Sequence, residues 1–280
     1  MSYALVDADI VAFRAASSAE KENSRIAVYR CADMMERILR DTGASHFQAY
    51  LSGDQPTFRH EIYPAYKANR LKRARPQFLE DCREHLCIQW GAKIAEGVEA
   101  DDLLGIAAGV VDPSLDPFIA TIDKDLQQVP GRHYNFVRDE WNEVSPAAAI
   151  YNFWWHVLVG DSTDNVPGCQ GIGAVKATKY LEGCETDQEM FRTARGLFSS
   201  DDELILNATL IYVMREENKK WNPAPYFGSD AEERSKSTPL PLEIIVPSTG
   251  HIAPEGNGIP LVGTTTVVGS TANTPINSTS

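Results

Sequence analysis

The sequence has no excess of positive charge, no disulfide or zinc spacing, no membrane-length apolar run and no motif for a side-chain nucleophile. Each absence removes a class of function. Its 280 residues sum to a formal charge of −13, which argues against a protein that coats nucleic acid or an anionic membrane by bulk electrostatics. Five cysteines, Cys31, Cys82, Cys87, Cys169 and Cys184, form no CxxC pair and leave an odd one over, the pattern of reduced thiols. Asp7 and Asp9 stand where a secretory leader needs an apolar run. The longest greasy stretch, 147–160, is broken by Asn152 and His156 and is too short to span a bilayer. The expectation is a soluble, cytoplasmic protein with no membrane partner. No GxSxG elbow or GxxxxGK[ST] loop occurs, and the six histidines show no HExxH spacing, so no side-chain nucleophile constellation is available.

What the chain does have is carboxylates at the ends of short apolar runs. With 43% hydrophobic residues, it can bury one core of roughly 200 residues and carry an appendage. Apolar runs at 3–6, 47–51, 93–95 and 117–122 read as buried strands, with a further candidate at 133–137. Helical periodicity marks 25–40, 77–90, 103–111, 146–159, 174–181, 189–198 and 202–215. This alternation predicts an α/β fold, a central, mostly parallel sheet flanked by helices, which presents ligands at the carboxyl ends of its strands. There the sequence places Asp7, Asp54, Asp123 and Asp125. Glu99, Asp101 and Asp102 open the helix that follows the 93–95 strand, more acid than capping requires. The aromatics Tyr151, Phe153, Trp154 and Trp155 read as core, and His156 beside them as a structural histidine.

Two stretches interrupt this pattern. Between Asp54 and Pro76 six basic residues face two acidic ones, with tyrosines interleaved; Arg59, Tyr66, Lys67, Arg70, Lys72 and Arg73 read as a phosphate-contacting patch with stacking partners. In residues 160–176, Asp161 and Asp164 precede a glycine-punctuated turn, Gly168 to Gly173, that opens a helix carrying Lys176. A cation ligand pair thus sits beside a backbone-amide cradle for phosphate. From 222 onward the composition changes: eight of the sixteen prolines lie in the last 59 residues, with abundant Ser, Thr and Gly, and 222–280 reads as a mostly disordered tail with an unassigned partner.

Nine acids, Asp7, Asp54, Glu99, Asp101, Asp102, Asp123, Asp125, Asp161 and Asp164, could not all stay ionised at close quarters without cations. Hard divalent ions resolve this, and Mg²⁺ takes carboxylate and water oxygens while leaving room for a substrate phosphate. Two ions roughly 4 Å apart would activate water against a phosphodiester and stabilise the leaving oxygen. Catalysis would then rest on Asp7 and Asp101 among the ligands.

The motifs DAD, SGDQPTFRHEIYPAYKANR, EGVEADDLLG, TIDKDLQ and GDSTDNVPGCQGIGAVKA, in that order, resemble the 5′-nuclease (flap endonuclease) superfamily. The likeness is to phage 5′→3′ exonucleases and to the 5′-nuclease domain of bacterial DNA polymerase I, over about residues 3–185. The resemblance implies a PIN-like core over 1–160, with a helical arch at 55–90, and a helix-hairpin-helix region over 161–221. Asp7, Asp54, Glu99, Asp101 and Asp102 match the tighter metal site, and Asp123, Asp125, Asp161 and Asp164 the second. Lys67 and Arg70 match arch residues that steer the scissile phosphate. The stretch from Gly168 through Gly171 and Gly173 to Lys176 matches the duplex-gripping hairpin. Arg14 is a further candidate phosphate contact. The implied cofactors are two Mg²⁺, with Mn²⁺ as a substitute and K⁺ at the hairpin. The implied partners are DNA with 5′ ends, flaps or junctions, with RNA:DNA hybrid as a further substrate, inside a bacterium or a phage-infected cell. Two other enzyme readings compete: a haloacid-dehalogenase-like phosphatase using Asp7 as nucleophile, and a PIN-type ribonuclease. A DNA-binding protein with a decayed site is the non-catalytic reading.

Overall fold

The computed structural model describes residues 2–72 and 74–227, apart from the side chains of Leu71 and Lys72. Arg73, the Lys72 side chain and residues 228–280 of the expected tail lie outside the described residues. The chain opens with strand β1 (Tyr3–Asp7), whose last residue also starts helix α1 (Ala8–Ser18): the Asp7 side chain accepts a hydrogen bond from the Ile10 amide at 3.2 Å. Then come α2 (Ser24–Thr42), β2 (His46–Ser52), the short α3 (Phe58–Ile62) and a 3₁₀ turn (Ala68–Lys72). They are followed by α4 (Leu79–Trp90), β3 (Lys93–Ala95), α5 (Ala100–Val110) and β4 (Pro117–Ala120). A hairpin of β5 (Gly131–Asn135) and β6 (Glu140–Val144) completes the sheet. Helices α6 (Pro146–Val159), α7 (Ala174–Leu181), α8 (Asp187–Leu197), α9 (Asp201–Ile211) and α10 (Ala224–Phe227) follow.

The six strands form one sheet in the order β3-β2-β1-β4-β5-β6. Neighbours from β3 to β5 are parallel, and β6 closes the edge antiparallel to β5. Central β1 is buried on both sides. Ala4 and Val6 point into a core built with α1, α2 and α4, whereas Leu5 joins Leu104, Ile119 and Leu126 under α5. The alternation of side chains along a strand makes these two cores from one run of five residues. Because β1 and β4 are adjacent and parallel, with Leu5 opposite Ile119, their carboxyl ends carry Asp7 and Asp123 to the same edge. Glu99 and Asp101, at the start of α5, arrive there too.

Helix α4 packs Leu79, Cys82 and Leu86 into the first core, so it belongs to the body of the domain rather than to the arch expected over 55–90. A third core unites α6, α7, α8 and α9 around Phe153, Trp154, Phe191 and Trp221. Tyr226 and Phe227 pack onto it and the Tyr226 hydroxyl donates to Asp187 at 2.8 Å, so the fold continues past the expected start of the tail at 222. Helix α9 ends at Ile211, short of the expected 215, because the following backbone is claimed by the α/β half. Leu210 and Tyr212 carbonyls accept from Arg59 at 2.9 and 2.6 Å, Ile211 accepts from Gln128 at 3.0 Å, and the Met214 amide donates to Asp102 at 3.0 Å.

Gly105 on α5 allows this closure. A Cβ there would lie 2.3 Å from the Met214 carbonyl oxygen, a backbone atom that cannot swing aside. Gly105→Ala is therefore expected to cost about 1–3 kcal/mol of stability, read from the midpoint of urea unfolding; an unchanged midpoint would show that the 213–214 segment is not held where described. Among the described residues no helix is long and apolar enough to cross a membrane.

Candidate active site

Three acids meet where β1 and β4 end. The Asp7 carboxylate accepts from the Thr121 hydroxyl at 2.7 Å, Thr121 accepts from the Asp123 amide at 2.9 Å, and Asp123 accepts from the Asp125 amide at 2.9 Å. Glu99 and Asp101 reach the same edge from the start of α5. Asp161 and Asp164 reach it from the turn after α6, which Asp161 braces by accepting from the Thr163 amide at 2.6 Å. Between the two groups lies a cavity of about 30 Å³ lined by Glu99, Asp101, Asp125, Asp161 and Asp164.

The electrostatics show how tightly the acids are gathered. Burial pushes the Asp7 carboxyl up to about 7, with Asp9 and Asp123 adding to the effect and hydrogen bonds from Thr121 and Ile10 opposing it. Asp125 is also pushed up to about 7, first by burial and then by Asp123 and Asp161. Asp101 is raised well above its ordinary value by burial and by the charges of Asp7, Asp123 and Glu99. Glu99 behaves oppositely: burial would raise it, but Lys67 and Arg59 more than offset this and hold it at about 2. Lys67 Nζ is 2.5 Å from Glu99 Oε1 and 3.5 Å from Asp164 Oδ2. Arg70 pairs with the other oxygen of Asp164.

Seven of the nine expected acids are thus linked through one field, and two are not. Asp54 is exposed in the loop after β2, because the chain turns outward there towards α3. Asp102 is fully buried and spent: it takes both Arg59 guanidinium nitrogens at 2.7 and 2.9 Å, the Glu99 amide at 3.1 Å and the Met214 amide. Its role is capping and ion pairing, the ordinary job of an acid in a helix's first turn. The same pair corrects the reading of Arg59 as a DNA contact, since that side chain is 3% exposed. Tyr66, expected to stack on bases, is 4% exposed and donates its hydroxyl towards Glu99 and Asp164 at 3.1 and 3.3 Å. Gly168 is no phosphate cradle either. It sits at φ 68 against Gly160, where a Cβ would fall 2.5 Å from the Gly160 nitrogen, and its amide donates to Asn207.

Gly171, Gly173 and Lys176 are exposed at the start of α7, and Lys176 Nζ donates to the Gly171 carbonyl at 2.8 Å. Arg14 is exposed on α1. His156 is buried 3.3 Å from Asp125 without a hydrogen bond to its Nδ1, and burial, then Lys124, lowers it to about 4, so it is neutral. Sequence reasoning missed Thr121 and the Arg83 brace. Arg83 ties Asp9 at 2.9 Å to the Ser52 carbonyl at 2.6 Å. Thr121 was findable as the polar residue ending an apolar strand; Arg83 lies mid-helix and gave no signal.

Among the described residues no three acids, histidines or cysteines are arranged to hold an ion at once, and Glu99 and Asp164 are turned to Lys67 and Arg70. The donor set nevertheless suits a hard divalent cation. It is all oxygen, and Asp7, Asp101 and Asp125 carry repulsion that added positive charge would relieve.

A buried carboxylate cluster at the carboxyl edge of a mostly parallel sheet, with a basic segment folded over it, is the arrangement of an α/β nuclease domain. The chain belongs to the 5′-3′ exonuclease family, matching its N-terminal resolvase-like domain over residues 2–153, and so to the 5′-nuclease superfamily. It is 31% identical over 168 residues to the thermostable DNA polymerase I of Thermus aquaticus, covering 56% of this chain and 20% of that protein. It is 27% identical over 223 residues to DNA polymerase I of Bacillus caldotenax, covering 71% and 24%. The chain therefore spans only about a fifth to a quarter of the length of these relatives. Its fold is similar to that of the bacteriophage T5 5′-exonuclease with bound zinc, with a TM-score of 0.64 at 17% identity over 75% of this chain and 89% of that one. The T5 flap endonuclease in complex with DNA and metal ions gives 0.61 at 17% identity over the same shares.

Asp102→Ala should strip the buried Arg59 charge of its two-pronged partner, leaving Glu99 at 3.8 Å, and cost about 3–5 kcal/mol, whereas Asp101→Asn removes repulsion and should raise stability; opposite shifts in the urea midpoint check this contrast. In EDTA, stability should fall as pH rises from 3.8 to about 7, because the folded chain keeps protons on Asp7 and Asp125 that the unfolded chain has released. Glu99, held low, contributes in the other sense, and its share is lost only as pH drops from 4.5 to about 2. A melting temperature that climbs steadily across the window from 3.8 to about 7 would contradict the assignment.

Proposed function

We propose that the protein is a divalent-metal-dependent 5′→3′ exonuclease and structure-specific flap endonuclease acting on DNA near 5′ ends and junctions. The observation that carries this is the gathering of seven carboxylates, three of them raised by burial and mutual repulsion, at the sheet edge of a 5′-nuclease-family domain. Asp7, Glu99 and Asp101 would hold one ion, and Asp123, Asp125, Asp161 and Asp164 a second, with Mg²⁺ the natural occupant and Mn²⁺ its substitute. The chemistry such a pair supplies when bound is acidification of the attacking water and neutralisation of charge on the phosphate.

The chain's own residues supply position. Thr121 orients Asp7, and the Asp161 turn sets Asp164. Lys67 and Arg70, which reach the acids of the pocket, would meet a phosphate there. Gly171, Gly173 and Lys176 offer backbone amides and charge to a duplex backbone without reading bases, with K⁺ as a candidate occupant of that hairpin, and Arg14 adds a contact on α1. On this reading 1–160 is the catalytic part and 161–221 the duplex-holding part, and RNA paired to DNA is accepted as well as DNA. The metal and DNA in the T5 complex support the same assignment.

The test is a product ladder from a 5′-labelled flap duplex and a blunt duplex, each with Mg²⁺ and with EDTA. Cleavage near the 5′ end or junction is expected with Mg²⁺ alone, and Asp101→Asn should lower it by at least roughly 10²-fold. Wild-type turnover in Asp101→Asn, or cleavage that survives EDTA, would sink the proposal. Hydrolysis of para-nitrophenyl phosphate without any of DNA would point instead to the phosphatase reading, and cutting of RNA alone to the PIN-type ribonuclease.

A further inference from the structure

Residues 65–70 occupy the place where positive charge is needed. Lys67 Nζ reaches Glu99 and Asp164, and Arg70 takes the remaining Asp164 oxygen. Uncharged bonds to the 161–166 turn hold the segment there. The Lys67 amide donates to the Asp164 carbonyl at 2.8 Å, Asn69 Nδ2 to the Ser162 carbonyl at 2.6 Å, and Asn165 Nδ2 to the Ala65 carbonyl at 2.8 Å. Lys67 adopts φ 55 to make this fit, a left-handed backbone that a lysine takes only when its surroundings impose it. The cavity that remains, about 30 Å³, admits something the size of one water and no phosphodiester.

We propose that residues 65–70 are a built-in cation plug: a divalent ion gains Glu99 and Asp164 only by displacing Lys67 and Arg70. This rests on the divalent-metal reading of the site. One carboxylate oxygen cannot face an ammonium at hydrogen-bond distance and a second cation in the same direction, so the two occupants exclude each other. Metal affinity is then set by residues that touch no ligand oxygen, Asn69 and Asn165, as well as by the acids. Reciprocity requires the converse: ion binding loosens the segment, opens the pocket to a phosphate, and leaves Lys67 and Arg70 free to meet it. Binding would be ordered, with ions before nucleic acid.

The experiment is Mn²⁺ binding to the intact chain without DNA, followed by the electron paramagnetic resonance of the free ion. Asn69→Ala should tighten binding by about two- to tenfold, the effect of one neutral hydrogen bond. Lys67→Met should tighten it by at least about tenfold, the effect of a charged one, and Arg40→Met, at an exposed cation on α2, should leave it unchanged. Hydrogen exchange on the wild-type chain gives an arm that needs no variant: the Lys67 and Arg70 amides should lose protection when Mn²⁺ is added. Mn²⁺ binding with equal affinity in all variants, or amide protection that persists at saturation, would overturn the plug while leaving the metal site standing. No Mn²⁺ binding in any form would overturn the metal reading and the plug together.

Discussion

Like charges confined at low dielectric are what the rest of this structure answers to. Seven carboxylates converge on one sheet edge, and two of them, Asp7 and Asp125, are pushed to about 7 by burial and by their neighbours. Such a cluster persists only if positive charge is near or if protons are retained. The chain uses internal cations on one flank, where Lys67, Arg70 and Arg59 surround Glu99 and Asp164. On the other flank, at Asp7, Asp101 and Asp125, no side-chain cation forms an ion pair among the described residues, and on the proposed reading an external ion would supply the missing charge there.

The division of labour between Asp101 and Asp102 shows how finely the backbone sorts chemistry. Adjacent residues on a helix point about 100° apart. Asp101 therefore faces the pocket while Asp102 faces inward to Arg59 and the 210–214 strap. One carboxylate lines the pocket and the other is held in a buried ion pair, and charge–charge interaction shapes both. With Arg59, the helical half gains a buried anchor that also terminates α9.

Much of this was legible in the sequence, because apolar strands ending in acids leave a plain pattern. β1, β2, β3 and β4 fall where their hydrophobic runs predict, and Asp7 and Asp123 follow from the parallel order of β1 and β4. Helix α1 was not foreseen: its buried face is Ala8, Val11, Ala12, Ala15 and Ala16, too small to stand out as an apolar stripe. β6 was missed because four of its five residues are exposed and its place comes from pairing with β5. The errors at the site share one cause. Residue type does not reveal direction, so buried Arg59 and Tyr66 looked like part-exposed Lys67 and exposed Arg70, and Gly168, needed for contact with Gly160, looked like the open glycines after it. What no local pattern carries is long-range pairing, such as Arg59 with Asp102, and with backbone 151 residues away.

That last pairing bears on modularity. The segment matched by the family, 2–153, stops well before the carbonyls of Leu210 and Tyr212 that satisfy Arg59, and before the Met214 backbone packed on Gly105. A polypeptide divided at that border would leave a guanidinium half-solvated in an apolar seam and α5 uncovered along one side. The two halves are accordingly one inheritable unit: recombination between relatives would have to exchange them together, or carry the 210–214 strap along with the sheet it closes.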